Sequence, residues 1–292
     1  MTGSSAPDSI QASIAYLRPD SRINRRYVTP AGQLNLSQYV MHSVPVRNAR
    51  PMAERISFDS HGFMLTRCPT SFTDFRDSAL VEQVYLPEVV RSVKDIVGAD
   101  LVLVSAWMAR CSVEGVDGAH PPANDVHVDY TPDLSEWMAR MLLERANMAD
   151  YPFRRFDAIN CWRSFTPAPQ DWPLGLCDAR SVGADEGAIH GIVHVDAMPN
   201  VEDAPERWPD DPSVPKSYDF SAFRFSPAHE WYYFPDMGTD EMILFKNYDS
   251  SRTGAWRVPH AGFKDPTCPA TRPRESIEVR LVAYYLTDVA HG

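Results

Sequence analysis

Val126-His127-Val128-Asp129-Tyr130 is the stretch on which the reading of this chain turns. In a strand, successive side chains alternate faces, so His127 and Asp129 project to one side with a single apolar residue between them. Two potential ligands then come from one short, rigid element. A later histidine, His260 in Val258-Pro259-His260-Ala261, offers a third. Two neutral imidazoles and one carboxylate on one face of an ion, with the other positions open, form the donor set that suits non-haem Fe(II) in oxygen-activating enzymes. His-x-Asp alone is a weak pattern, and the chain carries a second copy, His194-Val195-Asp196, which competes for the pairing with His260.

The sequence after His260 raises the first copy above chance. Arg274-Glu275-Ser276 leads into Ile277 to Tyr285, whose alternation suits a strand with one buried face. Arg274 and Ser276 then share a side. A planar guanidinium beside a hydroxyl is a good seat for a carboxylate, because the fork makes two parallel charge-assisted hydrogen bonds. The distal carboxylate of 2-oxoglutarate fits that seat. Arg280 lies on the same face but about 20 Å further along at ~3.3 Å per residue, and reads as structural.

Outward from these residues, the chain alternates short strands with turns. Leu86 to Val97, with Pro87 at its start and Gly98 at its end, is a helix. Leu134 to Ala149 is a second, capped by Asp133 with Glu136 three positions on. Its Leu134, Trp137, Met138, Met141 and Leu142 form one apolar stripe, which is the mark of core packing. Strands are expected near Gln38 to Val46, Leu101 to Val104, Phe156 to Phe165, Ala188 to Val195, Glu230 to Phe234, Met242 to Phe245 and Trp256 to Val258, with a hairpin over Ile56 to Leu65. Residues 1–9 read as a disordered start and Asn200 to Ser217 as a long surface excursion. The fold class is mainly β with flanking helices, a double-sheet jelly roll of cupin-like type with the helices packed outside, in one domain over 10–292.

Composition bounds the partners. With 292 residues and a formal net charge of -11, the balance argues against nucleic acid or an anionic membrane surface. Five cysteines without a Cys-x-x-Cys pair favour reduced thiols in a cytoplasmic protein. No secretory leader and no apolar run long enough to span a membrane are found. A homodimer is the candidate assembly.

Four further runs carry a resemblance: Asn160-Cys161-Trp162-Arg163, Trp172 to Val182, Phe245 to Ser250 and Pro273 to Arg280. They are similar to shared blocks of a non-haem Fe(II)/2-oxoglutarate-dependent hydroxylase/desaturase family that includes gibberellin desaturase-like proteins, the cephamycin hydroxylation component and fungal endoperoxide-forming enzymes. The resemblance covers nearly the whole chain after Tyr39. It implies a double-stranded β-helix, Fe(II), 2-oxoglutarate, dioxygen and a small-molecule substrate from specialised metabolism. His127-Val128-Asp129 matches the family's metal motif, whereas His194-Val195-Asp196 falls where no ligand is expected. Gly175 departs from the family's alanine without touching the chemistry.

The candidate site is therefore His127, Asp129 and His260 for the metal, and Arg274 and Ser276 for the co-substrate. Asn160 and Trp162, on one strand face, are expected to line the pocket; the plainer reading is a core tryptophan with a hydrogen-bonded asparagine. Tyr130, Arg163 and Lys246 are candidate substrate contacts, Arg163 only if its strand is bulged. The expected reaction is oxidation of a substrate C–H bond by hydroxylation, desaturation or oxidative cyclisation. Two readings compete: a cupin-type metal enzyme without 2-oxoglutarate, and a non-catalytic partner subunit of a homologous oxygenase.

Overall fold

Alternating burial begins at β1 (Ser9–Leu17), followed by β2 (Arg25–Thr29), β3 (Gly32–Asn35) and β4 (Tyr39–Asn48). The computed structural model describes residues 7–200, 218–268 and 273–286. β1 and β4 pair antiparallel along their lengths, while β2 and β3 form a hairpin between them. After β5 (Phe63–Arg67), a short turn of helix α1 (Ser78–Leu80) runs through a π-helical turn at Val81–Tyr85 into α2 (Leu86–Val97). Gly98, at φ 64, ends α2 in the left-handed conformation that the sequence signal anticipates. Then come β6 (Leu101–Cys111), β7 (His127–Val128), α3 (Pro132–Arg145), β8 (Arg155–Ser164), β9 (Leu174–Cys177) and β10 (Ala188–His194). The last strands are β11 (Tyr218–Ala222), β12 (Trp231–Tyr233), β13 (Glu241–Asp249), β14 (His260–Gly262) and β15 (Glu275–Tyr285).

Two sheets form. One has the order β5-β13-β8-β15-β6 and the other β1-β4-β12-β9-β14-β7-β11-β10-β2-β3. Within them, β6-β15-β8-β13 and β7-β14-β9-β12 carry the pairing of a jelly roll, the expected double-stranded β-helix. β1, β4, β10, β11, β2 and β3 extend the second sheet on both sides.

The inner and outer rows of β8 and β15 differ in chemistry. Outward, Ile159, Cys161, Ile277, Val279 and Leu281 pack against Val89 and Val93 of α2. α3 packs Met138, Leu142 and Leu143 against Phe156, Ala158, Val282 and Tyr284 at one end of the inner row. Further along that row stand Asn160, Ser276, Glu278 and Arg280, each 7% exposed or less. Polar side chains buried on a central strand demand partners, and these residues mark the functional interior.

Several local expectations are corrected. α3 is capped by Thr131, whose Oγ1 accepts from the Leu134 amide at 3.2 Å, and Trp137 is 59% exposed, outside the packed stripe. Ile56 to Leu65 is not a hairpin, because β5 pairs with β13 far along the chain. β7 stops at Val128, so Asp129 leaves the strand as the chain bends towards α3. Trp256 to Val258 forms no strand, and Ser9 already belongs to β1. Residues 1–6 of the expected disordered start, and all of the Asn200 to Ser217 excursion except Asn200, lie outside the described residues.

Candidate metal centre and co-substrate pocket

β7 and β14 are antiparallel neighbours with His260 directly opposite His127, which brings the two rings to 4.4 Å between centroids. Potential ligand atoms of His127, Asp129 and His260 all lie within 4.8 Å of one another, and all three residues are buried. They form the only such three-residue group among the described residues. His127 Nε2 stands 3.7 Å from Asp129 Oδ1 and His260 Nε2 3.8 Å from Asp129 Oδ2. The competing His194 and Asp196 are exposed at and beyond the end of β10.

Backbone carbonyls set the tautomers. His127 Nδ1 lies 2.7 Å from Asp125 O and His260 Nδ1 lies 3.1 Å from Val258 O. A carbonyl oxygen can only accept, so each Nδ1 carries the proton and each Nε2 keeps its lone pair for an ion. His260 Nε2 is buried with no hydrogen-bond partner. Leaving such an atom unsatisfied costs about 1–3 kcal/mol, which a bound cation removes. Burial, reinforced by the neighbouring His127, pushes the His260 pKa down to about 4, so the ring is neutral as a ligand must be. Burial alone would raise the Asp129 carboxyl; Arg280 and the two imidazoles outweigh it and hold the group well below the usual carboxylate range.

Next to the centre is a small pocket walled by His127, His260, Trp162, Arg110, Arg274 and Glu278. Arg274 is 1% exposed, and its Nε and Nη2 have no hydrogen-bond partner; neither does Ser276 Oγ. The guanidinium lies 5.5 Å over the Trp162 ring. Burial, then Arg110, pushes the Arg274 pKa down to about 9, which leaves it charged at neutral pH. Unpaired cationic donors and an unpaired hydroxyl at one end, and an unpaired imidazole nitrogen at the other, fit a dicarboxylate that also reaches a metal ion.

Three asparagine contacts brace Asp129. Asn160 Nδ2 donates to Asp129 Oδ2 at 2.5 Å, Asn247 Nδ2 donates to Asn160 Oδ1 at 2.6 Å, and the Asp129 amide donates to Asn247 Oδ1 at 3.2 Å. Asn160 thus supports the metal carboxylate, while Trp162 walls the pocket. Sequence reasoning passed over Asn247, because the expected strand stops at Phe245, whereas β13 runs on to Asp249 and Asn247 keeps the inward phase of Ile243 and Phe245.

Lys246 and Arg163 are corrected as substrate contacts. Lys246 pairs with Ile159 on the outer row, and its Nζ lies 2.8 Å from Asp249. Arg163 is also on the outer row, where its donors are taken by Tyr85 Oη at 3.0 Å, Cys68 O at 2.7 Å and Thr239 O at 2.7 Å. Tyr130 is 2% exposed with its hydroxyl 3.1 Å from Ser105 Oγ, beneath the Arg280 guanidinium. Arg280 reaches the centre after all: it stands opposite Asn160 in register, and its Nη2 donates to Asp129 Oδ1 at 2.6 Å. A charged residue in phase with Arg274 and Ser276 was the available signal, and its distance along the chain from Arg274 brings it to Asp129 rather than to the pocket at Arg274.

A family model described as an oxidoreductase/YMDC permease-like domain matches residues 14–284. The chain is 28% identical over 288 residues to the Fe(II)/2-oxoglutarate-dependent dioxygenase nvfI of Aspergillus novofumigatus, covering 94% of this chain and 96% of the relative. It is 31% identical over 264 residues to the alpha-ketoglutarate-dependent dioxygenase phiK of a fungal species, covering 87% of each. The solved structure of the iron and alpha-ketoglutarate-dependent endoperoxidase NvfI shares the fold, with a TM-score of 0.81 at 24% identity over 96% of this chain and 99% of that one.

Proposed function

The chain belongs to the Fe(II)/2-oxoglutarate-dependent hydroxylase/desaturase family, and from that premise we propose that it oxidises a C–H bond of a small-molecule specialised metabolite while 2-oxoglutarate becomes succinate and CO2. In this reading His127, Asp129 and His260 hold the iron. Arg274 and Ser276 take the far carboxylate of 2-oxoglutarate, and Trp162 forms the wall along it. Bound Fe(II), 2-oxoglutarate and dioxygen together supply the oxidising chemistry for hydroxylation, desaturation or oxidative cyclisation.

The chain's own groups bind, orient and exclude water. The Nδ1–H groups of His127 and His260 stay donated to their backbone carbonyls, which leaves each Nε2 lone pair for the ion. Asp129 offsets part of the ion's charge, held by Asn160. Burial of Arg274 strengthens its grip on a carboxylate by removing competing water. The observation that carries this reading is the set of orphaned buried atoms: His260 Nε2 at the centre, and Arg274 Nε, Arg274 Nη2 and Ser276 Oγ at the seat. A cupin-type enzyme without 2-oxoglutarate has no use for that second set.

We further take 10–292 as one oxygenase domain with a small-molecule substrate. The net charge of -11 speaks against nucleic acid and anionic membranes as partners. No helix among the described residues is long and apolar enough to cross a membrane. A homodimer is the candidate assembly, and the unbridged buried Cys68, Cys111, Cys161 and Cys177 support a cytoplasmic setting.

The test is anaerobic addition of Fe(II) and then 2-oxoglutarate. The weak visible charge-transfer band of a chelated keto acid is expected with the wild type and not with His127→Ala. Iron binding without that band would favour the cupin-type reading, and failure to bind iron the partner-subunit reading.

A further inference from the structure

We propose that Arg280 positions Asp129 for the metal, with Glu278 as its counter-ion; the inference rests on His127, Asp129 and His260 being the metal centre. Arg280 is 7% exposed and each guanidinium nitrogen has its own acceptor. Nη2 donates to Asp129 Oδ1 at 2.6 Å, Nε to Glu278 Oε1 at 2.8 Å and Nη1 to the Tyr218 hydroxyl at 2.6 Å. Its guanidinium also lies 5.9 Å from both the Tyr130 and the Tyr218 rings. A rigid planar fork serves three acceptors in three fixed directions, which a point-like ammonium on a flexible stem does not.

The two Asp129 oxygens are thus held from adjacent strands. Arg280 of β15 takes Oδ1 and Asn160 of β8 takes Oδ2, and these two residues face each other in register. A carboxylate oxygen accepts at more than one position, so each keeps capacity for an ion. The carboxylate plane is set before metal arrives, and metal binding need not order it.

A guanidinium so near a cation site would repel the cation. Glu278, 5% exposed, offsets that charge, and its other oxygen lies 3.8 Å from Arg110 Nε at the wall of the co-substrate pocket. This accounts for a buried carboxylate in a pocket that must bind an anion: its charge is spent on Arg280 and Arg110, leaving Arg274 unpaired for the ligand.

The decisive variant is Arg280→Lys, which keeps the charge and loses the fork. Co(II) serves as the probe, followed by visible d–d absorption, with circular dichroism and thermal unfolding as controls. Co(II) affinity is expected to fall roughly 10- to 100-fold with a changed d–d spectrum, the usual loss when a residue supporting a metal ligand is altered. A merely structural residue would move the unfolding temperature and leave affinity and spectrum alone, and that result overturns the proposal. Tyr218→Phe removes one acceptor and keeps the ring; it is expected to weaken Co(II) binding several-fold, and wild-type affinity there overturns the proposal if Arg280→Lys does not fold. Wild-type binding that His127→Ala abolishes and Arg280→Lys leaves intact sinks this inference alone, whereas no wild-type binding sinks the metal centre with it.

Discussion

Arg274→Met is expected to make the protein more stable without 2-oxoglutarate and nearly blind to it. The fold holds a charged guanidinium at 1% exposure with two nitrogens unpaired, and burial followed by Arg110 pushes its pKa well down, to about 9. At about 1.4 kcal/mol per unit, folding disfavours the charged form by roughly 5 kcal/mol as an upper bound. Methionine fills most of the same space at a packing cost of about 1 kcal/mol, so the net gain is about 1–4 kcal/mol, or on the order of 5 °C. On the ligand side, two charge-assisted hydrogen bonds of about 1.5–3 kcal/mol each disappear, weakening the dissociation constant by roughly two to four orders of magnitude. Thermal unfolding with Co(II), with and without 2-oxoglutarate, reads both effects. Wild type gains stability from 2-oxoglutarate and Arg274→Met does not. A variant less stable than wild type in the absence of 2-oxoglutarate, or one that keeps the wild-type response to it, would refute the reasoning.

Two further predictions concern the frame around the site. Gly62 sits at φ +83, and a Cβ there would meet Val258 Cγ2 at 2.5 Å, two residues before His260; Gly62→Ala is expected to cost roughly 2–4 kcal/mol through backbone strain and overpacking, and an unchanged melting temperature would contradict the close approach. His190, with Nδ1 2.9 Å from Ser37 Oγ, is pushed down to about 3 by burial and then Arg26. It is neutral in the fold but takes a proton in the unfolded chain below about 6.5, so its stabilising contribution is present above pH 6.5 and is lost as pH falls towards 3. In metal-free protein, His190→Gln should flatten the fall of melting temperature between pH 6.5 and 4.5; a slope equal to wild type would count against it.

Much of the frame was legible because its signals are local. Pro87 and Gly98 bracket α2, and period-two alternation exposes β15 as a strand with Ser276 on its inner face and Arg274 immediately before it. The metal motif was legible for the same reason, since His127 and Asp129 are separated by one residue. Choosing between the two His-x-Asp copies needed the resemblance, and the structure supplies the physical ground: β7 lies beside β14, while β10 ends with His194 exposed.

What failed were particular judgements of which side of a sheet faces the centre, or of how far along a strand the centre lies. Lys246 and Arg163 read as available cations, yet both stand on the outer rows and are occupied there. Asn247 was missed because the expected strand ended at Phe245, two residues short of the next inward position on β13. Arg280 read as remote because distance was measured from Arg274, when the centre it serves is Asp129.

By itself, then, the sequence determined the strand-rich frame, the type of donor set and the candidate pair Arg274 and Ser276, because hydrophobic period, turn residues and donor chemistry are properties of neighbours in the chain. Tertiary structure decided the pairing of His127 with His260, the brace of Asn160, Asn247 and Arg280 around Asp129, and the exclusion of Lys246 and Arg163. Those depend on register and facing between strands far apart in sequence, which no local pattern of neighbours encodes.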